Sequence, residues 1–89
     1  MGASERRLQA RVEIHLKKGV TDPEGENVLK ALNLLGFSNV SSVRSIKVFE
    51  IRLSGLTAAK ARSAVDEMCR KLLANPVIHD YRVEVRTER

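Results

Sequence analysis

The sequence predicts a small α+β domain, in which two amphipathic helices alternate with strands of an antiparallel sheet. Three observations predict it: period-two alternation near both ends of the chain, two helical-period stretches behind capping residues, and an extended Val- and Ile-rich stretch between them. The 89 residues allow one core, and an aromatic content of 3% makes that core aliphatic. A chain this short leaves much of its apolar surface exposed to solvent. We therefore expect oligomerisation to stabilise it by burying some of that surface.

The chain ends predict short tails around a single domain. We assign residues 1–9 to a flexible N-terminal tail, 10–86 to the domain and 87–89 to a C-terminal tail. At the start of the domain, Val12 and Ile14 alternate with polar residues. This alternation predicts a strand with one buried face.

The first helix has a clear start and a clear end. Either Asp22 is the N-cap with Pro23 at the first helical position, or Thr21 is the cap and Glu24 completes a capping box. Gly36 is the expected C-terminal stop. The apolar stripe of this helix comprises Val28, Ala31, Leu32 and Leu35.

Gly25 is unusual because it lies in the first turn of the predicted helix. Glycine inside a helix costs about 0.5–1 kcal/mol relative to alanine. Two interpretations remain open: another backbone approaches closely at this position, or the helix end tolerates the residue.

The stretch 40–53 reads as extended but is too long for an ordinary strand of about 5–6 residues. Its alternation also changes parity, since Ile46 and Val48 share one face and Phe49 lies on the other. A change of parity indicates a turn or bulge. We place the break between Arg44 and Val48, which gives a hairpin; the alternative is one long bent strand.

The second helix begins at the N-cap Thr57 and stops before Asn75 and Pro76, because the residue before proline avoids helical angles. Tyr81 and Val83 then alternate with charged residues and predict the last strand. The apolar stripe of the second helix comprises Ala58, Ala61, Val65, Met68, Cys69 and Leu72.

The resulting order, β-α-β-β-α-β, predicts a ferredoxin-like arrangement with two helices on one face of an antiparallel sheet. If residues 40–53 form one bent strand, the sheet has one strand fewer.

The residues with catalytic potential are few and scattered. His15 and His79 are interpreted as surface histidines, and Cys69 lies on the apolar stripe as a small core residue. The five glycines match no phosphate-binding spacing. We therefore predict no catalytic, cofactor-binding or metal-binding residue.

The net charge of +5 admits an anionic partner without selecting one. An RNA-recognition sheet would carry aromatic residues for base stacking. The sheet positions expected to be exposed are Arg11, Glu13, His15, Lys17, Arg82, Glu84 and Arg86. None is aromatic and acids interleave with bases, so we expect no nucleic-acid partner.

The sequence also predicts a cytoplasmic protein with no membrane association. No apolar run approaches the roughly 18 residues needed to span a bilayer, and the N-terminus has no apolar stretch typical of a signal peptide. A single cysteine fits a reducing compartment.

Three segments carry a resemblance to a known family. The first is Val12–Val20 followed by Asp22–Gly25; the second is Val43–Lys47; the third is Leu72–Ile78, with Tyr81 just after. Together, at this spacing, they resemble the PurS family over nearly the whole chain. PurS is the small subunit of phosphoribosylformylglycinamidine synthase, also called formylglycinamide ribonucleotide amidotransferase.

The resemblance implies a non-catalytic assembly subunit in de novo purine biosynthesis. It implies a homo-dimer or homo-tetramer that bridges a PurL-type synthetase and a PurQ-type glutaminase. ATP, Mg and glutamine would be used by those partner subunits, and this chain would bind no cofactor. The enzyme as a whole would be a glutamine-dependent, ATP-using C–N ligase.

The resemblance and the strand ends together suggest a set of contact residues. The subunit-interface candidates are Lys17, Lys18, Arg44, Lys47, Asn75 and Tyr81. The alternative for the cations is ordinary solvated charge, and for Asn75 it is helix termination. One departure from the family is Ile46, where relatives commonly have glycine; isoleucine resists the positive φ of a tight turn, which weakens the hairpin interpretation.

Two other functions stay open from the residues alone. One is a ferredoxin-like regulatory domain that binds a small effector at a protomer interface. The other is a small hydrolase, which needs an Arg and an amide or acid around an anion site. The sequence assembles no such site convincingly.

Overall fold

A computed structural model describes residues 7–88 of the chain and confirms the α+β class. The elements in order are β1 (Arg7–Leu16), α1 (Pro23–Leu34), β2 (Lys47–Ser54), α2 (Ala58–Met68), a π-helical turn (Cys69–Leu73) and β3 (His79–Thr87). The sheet is antiparallel with strand order β2-β1-β3.

The central strand β1 supplies much of the core. Its inward side chains are buried because β1 has a neighbour on each side and α2 above it. Val12 lies opposite Phe49 on β2 and Val83 on β3, so the apolar faces of the three strands coincide. The buried residues of β1 are Leu8, Ala10, Val12 and Ile14.

The predicted hairpin is wrong, because residues 40–46 form no strand and only Lys47–Ser54 pairs with β1. The order is therefore β-α-β-α-β, and the single-strand alternative is right only from Lys47 onward. The physical reason lies in the backbone groups of this segment. The Ser45 N–H donates to the Asp22 carboxylate, so it is committed to the start of α1 rather than to a strand ladder.

The N-terminal tail is shorter than predicted, since β1 begins at Arg7. Leu8 is almost fully buried, and the Glu88 N–H donates to the Arg7 carbonyl at 2.9 Å. Pairing with both neighbouring strands therefore orders residues that carry little pattern of their own. The predicted tail residues 1–6 and 89 lie outside the described residues.

The second helix packs on the sheet as expected. Thr57 is its N-cap, with the hydroxyl accepting from the Lys60 N–H at 3.2 Å. Ala61, Val65 and Cys69 are fully buried at four-residue steps. This face of α2 closes the core over β1 and β3.

The end of α2 departs from the predicted stripe. The Ala74 N–H donates to the Cys69 carbonyl, five residues back, so the last turn is widened. A wider turn brings the fourth and fifth residues after Cys69 to the core side. Leu73 is accordingly half-buried and Ala74 buried, whereas Leu72, which the sequence analysis placed on the stripe, is 82% exposed.

The first helix is capped at both ends by local hydrogen bonds. Asp22 is the N-cap and Pro23 the first helical residue, which confirms the first of the two predicted starts. Gly36 adopts a φ of 101°, and the Phe37 N–H donates to the Leu32 carbonyl at 2.9 Å. This is a Schellman motif, which requires the left-handed conformation that glycine adopts without strain.

Although both helices exist, only α2 covers the sheet. Helix α1 makes almost no contact with any strand or with α2. The radius of gyration is 17.3 Å, and the molecule measures 57 × 30 × 14 Å. A compact chain of this length has a radius of gyration of about 12 Å. The expectation of two helices on one face of the sheet is therefore not met within a single chain.

Candidate functional site

Helix α1 and the segment that returns from it project away from the sheet. We call residues 23–43 the α1 arm. One side of the helix is half-buried, at Leu29 and Leu32, and Gly25 on the same side is buried. The neighbouring side exposes large apolar side chains to solvent. These are Val28 at 42%, Leu35 at 74% and, just beyond the helix, Phe37 at 57% exposure, whereas Leu34, at 88% exposure, lies on the side that carries Lys30.

The α1 arm is joined to the rest of the chain where Asp22 and Gly25 meet Val43 and Ser45, and we call this junction the root of the arm. The junction depends on the absence of a side chain at Gly25. A Cβ at this position would lie 2.5 Å from the Val43 carbonyl oxygen and 2.6 Å from Asp22 Oδ2. No Cβ fits at such distances. The close-approach interpretation of Gly25 is therefore confirmed, and the returning backbone is what approaches.

Asp22 joins the two sides of that root. One carboxylate oxygen accepts from the Gly25 N–H at 3.0 Å and from the Ser45 hydroxyl at 2.7 Å, and the other accepts from the Ser45 N–H at 2.7 Å. The Gly25 N–H, followed by the two Ser45 donors, lowers the pKa of Asp22 below its ordinary value. One side chain thus caps α1 and holds the segment that leads into β2.

We expect acid to weaken the root of the arm through Asp22. The pKa of Asp22 is lower in the folded protein than its ordinary value of 3.8. The hydrogen bonds of its carboxylate therefore contribute fully to the free energy of unfolding above pH 3.8, and this contribution is lost as pH falls through the folded-state pKa. Asp22→Asn should therefore unfold at lower urea concentration than the wild type at pH 7. The difference between the two proteins should narrow below about pH 4.

The control for this titration is Glu26→Gln, which removes a carboxylate from the same helical turn. The Glu26 side chain makes no hydrogen bond to any residue in the described range 7–88, so its removal should leave the pH dependence close to that of the wild type. Protein concentration is held constant across the series. If the free energy of unfolding of wild type and Asp22→Asn differed by the same amount from pH 7 to pH 3, the stabilising role assigned to the Asp22 carboxylate would be contradicted.

The sheet has an incompletely covered apolar area beside α2. A helix is about 10 Å wide, whereas three strands at about 4.8 Å spacing are wider than that. Helix α2 lies over β1 and β3 and leaves β2 at the margin. The inward side chains of β2, Phe49, Ile51 and Leu53, are consequently only half-buried.

On the opposite face of the sheet, basic and acidic side chains lie next to one another. Arg11 lies opposite Glu50 on β2 and Glu84 on β3, and its Nε is 3.4 Å from Glu13. The His15 ring, followed by Arg11, lowers the pKa of Glu13. Exposed pairs of this kind contribute little to stability, because water screens them.

Three of the predicted interface residues meet at one end of the sheet. A groove beside the turn 17–20 is lined by Lys17, Lys18 and Arg44, with Asp80 as its one acid. We call this the basic groove. The sequence placed these residues in two separate motifs, and the fold brings them together.

The other three candidates have contacts within the chain. The Lys47 ammonium lies 5.9 Å from the centroid of the Phe49 ring. Tyr81 donates its hydroxyl to Asp66 at 2.6 Å, which joins β3 to α2, and this bond raises the pKa of Tyr81. Asn75 accepts from the Val77 N–H at 3.0 Å and so shapes the turn that ends the π-helical segment. This bond is consistent with the helix-termination alternative for Asn75, and its place at an interface stays a prediction.

The side chains with reactive potential are held in structural positions. Cys69 is fully buried, and burial, with a smaller contribution from Asp66, raises the pKa of its thiol. The Nδ1 atom of His79 accepts from the Asn75 N–H at 2.9 Å, and His15 contacts Glu13 at 3.2 Å. Among residues 7–88, no three His, Cys, Asp or Glu side chains are grouped as metal ligands would be.

Two features escaped sequence reasoning: the detachment of α1 from the sheet, and the bond between Asp22 and Ser45. Gly25 was the one signal for the latter, since glycine in a first helical turn indicates close approach of other atoms. Across the described part of the chain, no helix is long and apolar enough to cross a membrane.

The fold and surface define a class of protein: a small α+β subunit with exposed contact surfaces and with its thiol and imidazoles in structural contacts. Residues 9–87 match the sequence model of the family described as "PurS: Phosphoribosylformylglycinamidine (FGAM) synthase". The chain belongs to the PurS family. It is accordingly a subunit of FGAM synthase, a glutamine-dependent ligase of purine biosynthesis.

Relatives and solved structures agree with this assignment. The PurS subunit of Methanocaldococcus jannaschii is 52% identical over 77 residues, covering 86% of this chain and 93% of that one. The Bacillus subtilis PurS subunit is 42% identical over 81 residues, covering 86% and 90%.

Among solved structures, the M. jannaschii PurS crystal structure superposes with a TM-score of 0.84 at 48% identity, covering 92% of this chain and 99% of that one. A chain of the PurLQS structure from Thermotoga maritima superposes with a TM-score of 0.79 at 27% identity, covering 92% and 98%. The family assignment favours an assembly subunit over the regulatory-domain and hydrolase alternatives.

Proposed function

We propose that this chain is a non-catalytic assembly subunit that joins a PurL-type synthetase to a PurQ-type glutaminase. The observation that carries the proposal is the α1 arm, which exposes an apolar helix face that none of residues 7–88 covers. A protein rarely leaves such a face wet unless another chain packs on it. The PurLQS assembly of the T. maritima relative supports the identity of the partners.

In this role the chain contributes contact surface and the larger subunits contribute chemistry. The glutaminase releases ammonia from glutamine, and the synthetase uses ATP with Mg to attach that ammonia to its ribonucleotide substrate. This chain binds no cofactor. The buried position of Cys69 and the internal bonds of His79 support that division, since neither side chain is placed to act on a substrate. We place the complex in the cytoplasm.

We infer that the chain acts as a homo-dimer, or as a homo-tetramer built from dimers, through reciprocal packing of the α1 arm. The sheet lacks a helix over β2, and α1 lacks a sheet. If the exposed side of α1 in each protomer packs on the half-buried residues of β2 in the other protomer, the apolar surfaces of α1 and of β2 are both buried. The exchange is self-complementary, as a two-fold interface requires.

Reconstitution tests the assembly role. Purified synthetase and glutaminase are mixed with and without this chain, and product formation is measured first with glutamine and then with free ammonia as the nitrogen source. We expect the chain to raise the glutamine-dependent rate and to leave the ammonia-dependent rate nearly unchanged. Ammonia bypasses the glutaminase, so it separates assembly from chemistry.

Two results would contradict the proposal. One is an equal glutamine-dependent rate with and without the chain. The other is turnover of any of the substrates by the isolated chain. Sedimentation or light scattering of the pure protein tests the oligomer separately, because a monomer at micromolar concentration would exclude reciprocal packing while leaving the assembly role open.

A further inference from the structure

The basic groove gathers cations from two separate segments of the chain. It is formed by the end of β1, the turn 17–20 and the segment that carries Arg44. Three cations face a single carboxylate, that of Asp80. Elsewhere several arginines and lysines lie in ion pairs with acids, as in Arg11–Glu13 on the sheet and in Arg70–Asp66 and Lys71–Glu67 at the π-helical turn.

The groove is held in shape by backbone hydrogen bonds. The Lys17 N–H donates to the Ile78 carbonyl at 2.8 Å, and the Val20 N–H donates back to the Lys17 carbonyl at 3.0 Å. Gly19 adopts a φ of 88°, which turns the chain sharply between them. On the other wall, the Arg44 guanidinium donates to the Leu16 carbonyl at 3.0 Å. The cations therefore stand on a fixed scaffold.

The charges of the groove are not neutralised within the chain. Lys17 Nζ is 3.5 Å from Asp80, but the two side chains are 43% and 71% exposed, so this pair is weak. Lys18 is exposed and has no ion pair with any acid in the described residues. Arg44 donates to the neutral Leu16 carbonyl, and its charge also acts, as a minor contribution, on the Asp22 carboxylate behind the groove.

We propose that the basic groove docks a carboxylate-rich segment of a partner subunit in the amidotransferase complex. A free anion such as phosphate would be held poorly, because the groove is open and its lysines are well hydrated. A protein segment can present several carboxylates at once and excludes water as it docks. The inference rests on the proposed assembly role, and it assigns that role a surface distinct from the apolar side of the α1 arm.

The test uses the double variant Lys17→Glu/Lys18→Glu, whose side chains are on the surface of the turn. The matched control is Lys60→Glu/Lys71→Glu, which makes the same change of net charge at exposed positions of α2 and of the π-helical turn that follows it. Binding of wild type and both variants to the synthetase and to the glutaminase is measured separately, at low and at high salt. Urea unfolding and light scattering confirm that fold and self-association are unchanged.

We expect the groove variant to bind one of the two subunits at least about 10-fold more slowly at low salt, with a flatter salt dependence, while the control binds like the wild type. The docking site is overturned if the groove variant and the control lose binding rate equally, or if neither loses any. Thermal stabilisation of the wild type by inorganic phosphate alone, abolished in the groove variant, overturns it in favour of a small-anion site. Failure of the wild type to bind either subunit instead refutes the assembly role itself.

Discussion

Replacing Gly25 by alanine should destabilise this protein, although glycine-to-alanine changes in helices normally stabilise by about 0.5–1 kcal/mol. The added methyl group would lie 2.5 Å from the Val43 carbonyl oxygen and 2.6 Å from the Asp22 carboxylate. Neither can retreat easily, because Val43 is backbone and Asp22 is held by Ser45. We expect a loss of about 1–3 kcal/mol in the free energy of unfolding, the usual penalty for overpacking.

Urea unfolding at fixed protein concentration measures this loss. Asn27→Ala is the control, since it also places alanine in α1 and occupies an exposed position. It should leave stability unchanged or raise it by up to about 0.7 kcal/mol. A Gly25→Ala protein as stable as the wild type would show that the arm's root relaxes freely and that the close approach is not required.

The second large effect is expected on self-association. The double variant Val28→Glu/Leu35→Glu places two charges on the exposed side of the α1 arm. Burying a Val or Leu side chain contributes about 1.5–3 kcal/mol. Each substitution occurs in both protomers of a two-fold dimer, so four such contributions are affected. Loss of the equivalent of only two of them already corresponds to a dimer dissociation constant about 10²- to 10⁴-fold higher. At micromolar concentration the variant should sediment as a monomer.

The matched control is Lys30→Glu, which changes the net charge by the same amount. Lys30 lies on the same helix but faces away from the apolar side, given 3.6 residues per turn. Glutamate has a higher helix propensity than valine, so failure of the variant to form α1 is not the expected cause of dissociation. Circular dichroism checks that helix content is retained. A dimer that persists in Val28→Glu/Leu35→Glu but dissociates in Lys30→Glu would move the interface to the other side of the helix.

Much of the local structure was predictable because short-range chemistry determines it. The Asp22–Pro23 start of α1, the Gly36 stop and the Thr57 cap each depend on neighbours within a few residues, and each has the expected hydrogen bonds. The inward face of β1 was predicted as well, since period-two alternation reports one-sided burial directly.

The candidate site was only partly predictable. Lys17 and Lys18 were singled out together with Arg44, but nothing in the sequence says that Arg44 reaches the Leu16 carbonyl across 28 residues. Tyr81 stays a predicted interface residue, and the sequence did not predict that its hydroxyl donates to Asp66 within the chain. Pairs far apart in sequence leave no periodic signal, so only the fold identifies them.

The amino-acid sequence by itself determined where the helices begin and where α1 ends, and which side of each strand is apolar. The tertiary structure decided that residues 40–46 support the root of α1 instead of forming a strand, and that α1 leaves the sheet. The physical reason is that capping and alternation act over a few residues. The place where a helix docks depends instead on competition among distant apolar surfaces, and here residues 7–88 leave one of them uncovered.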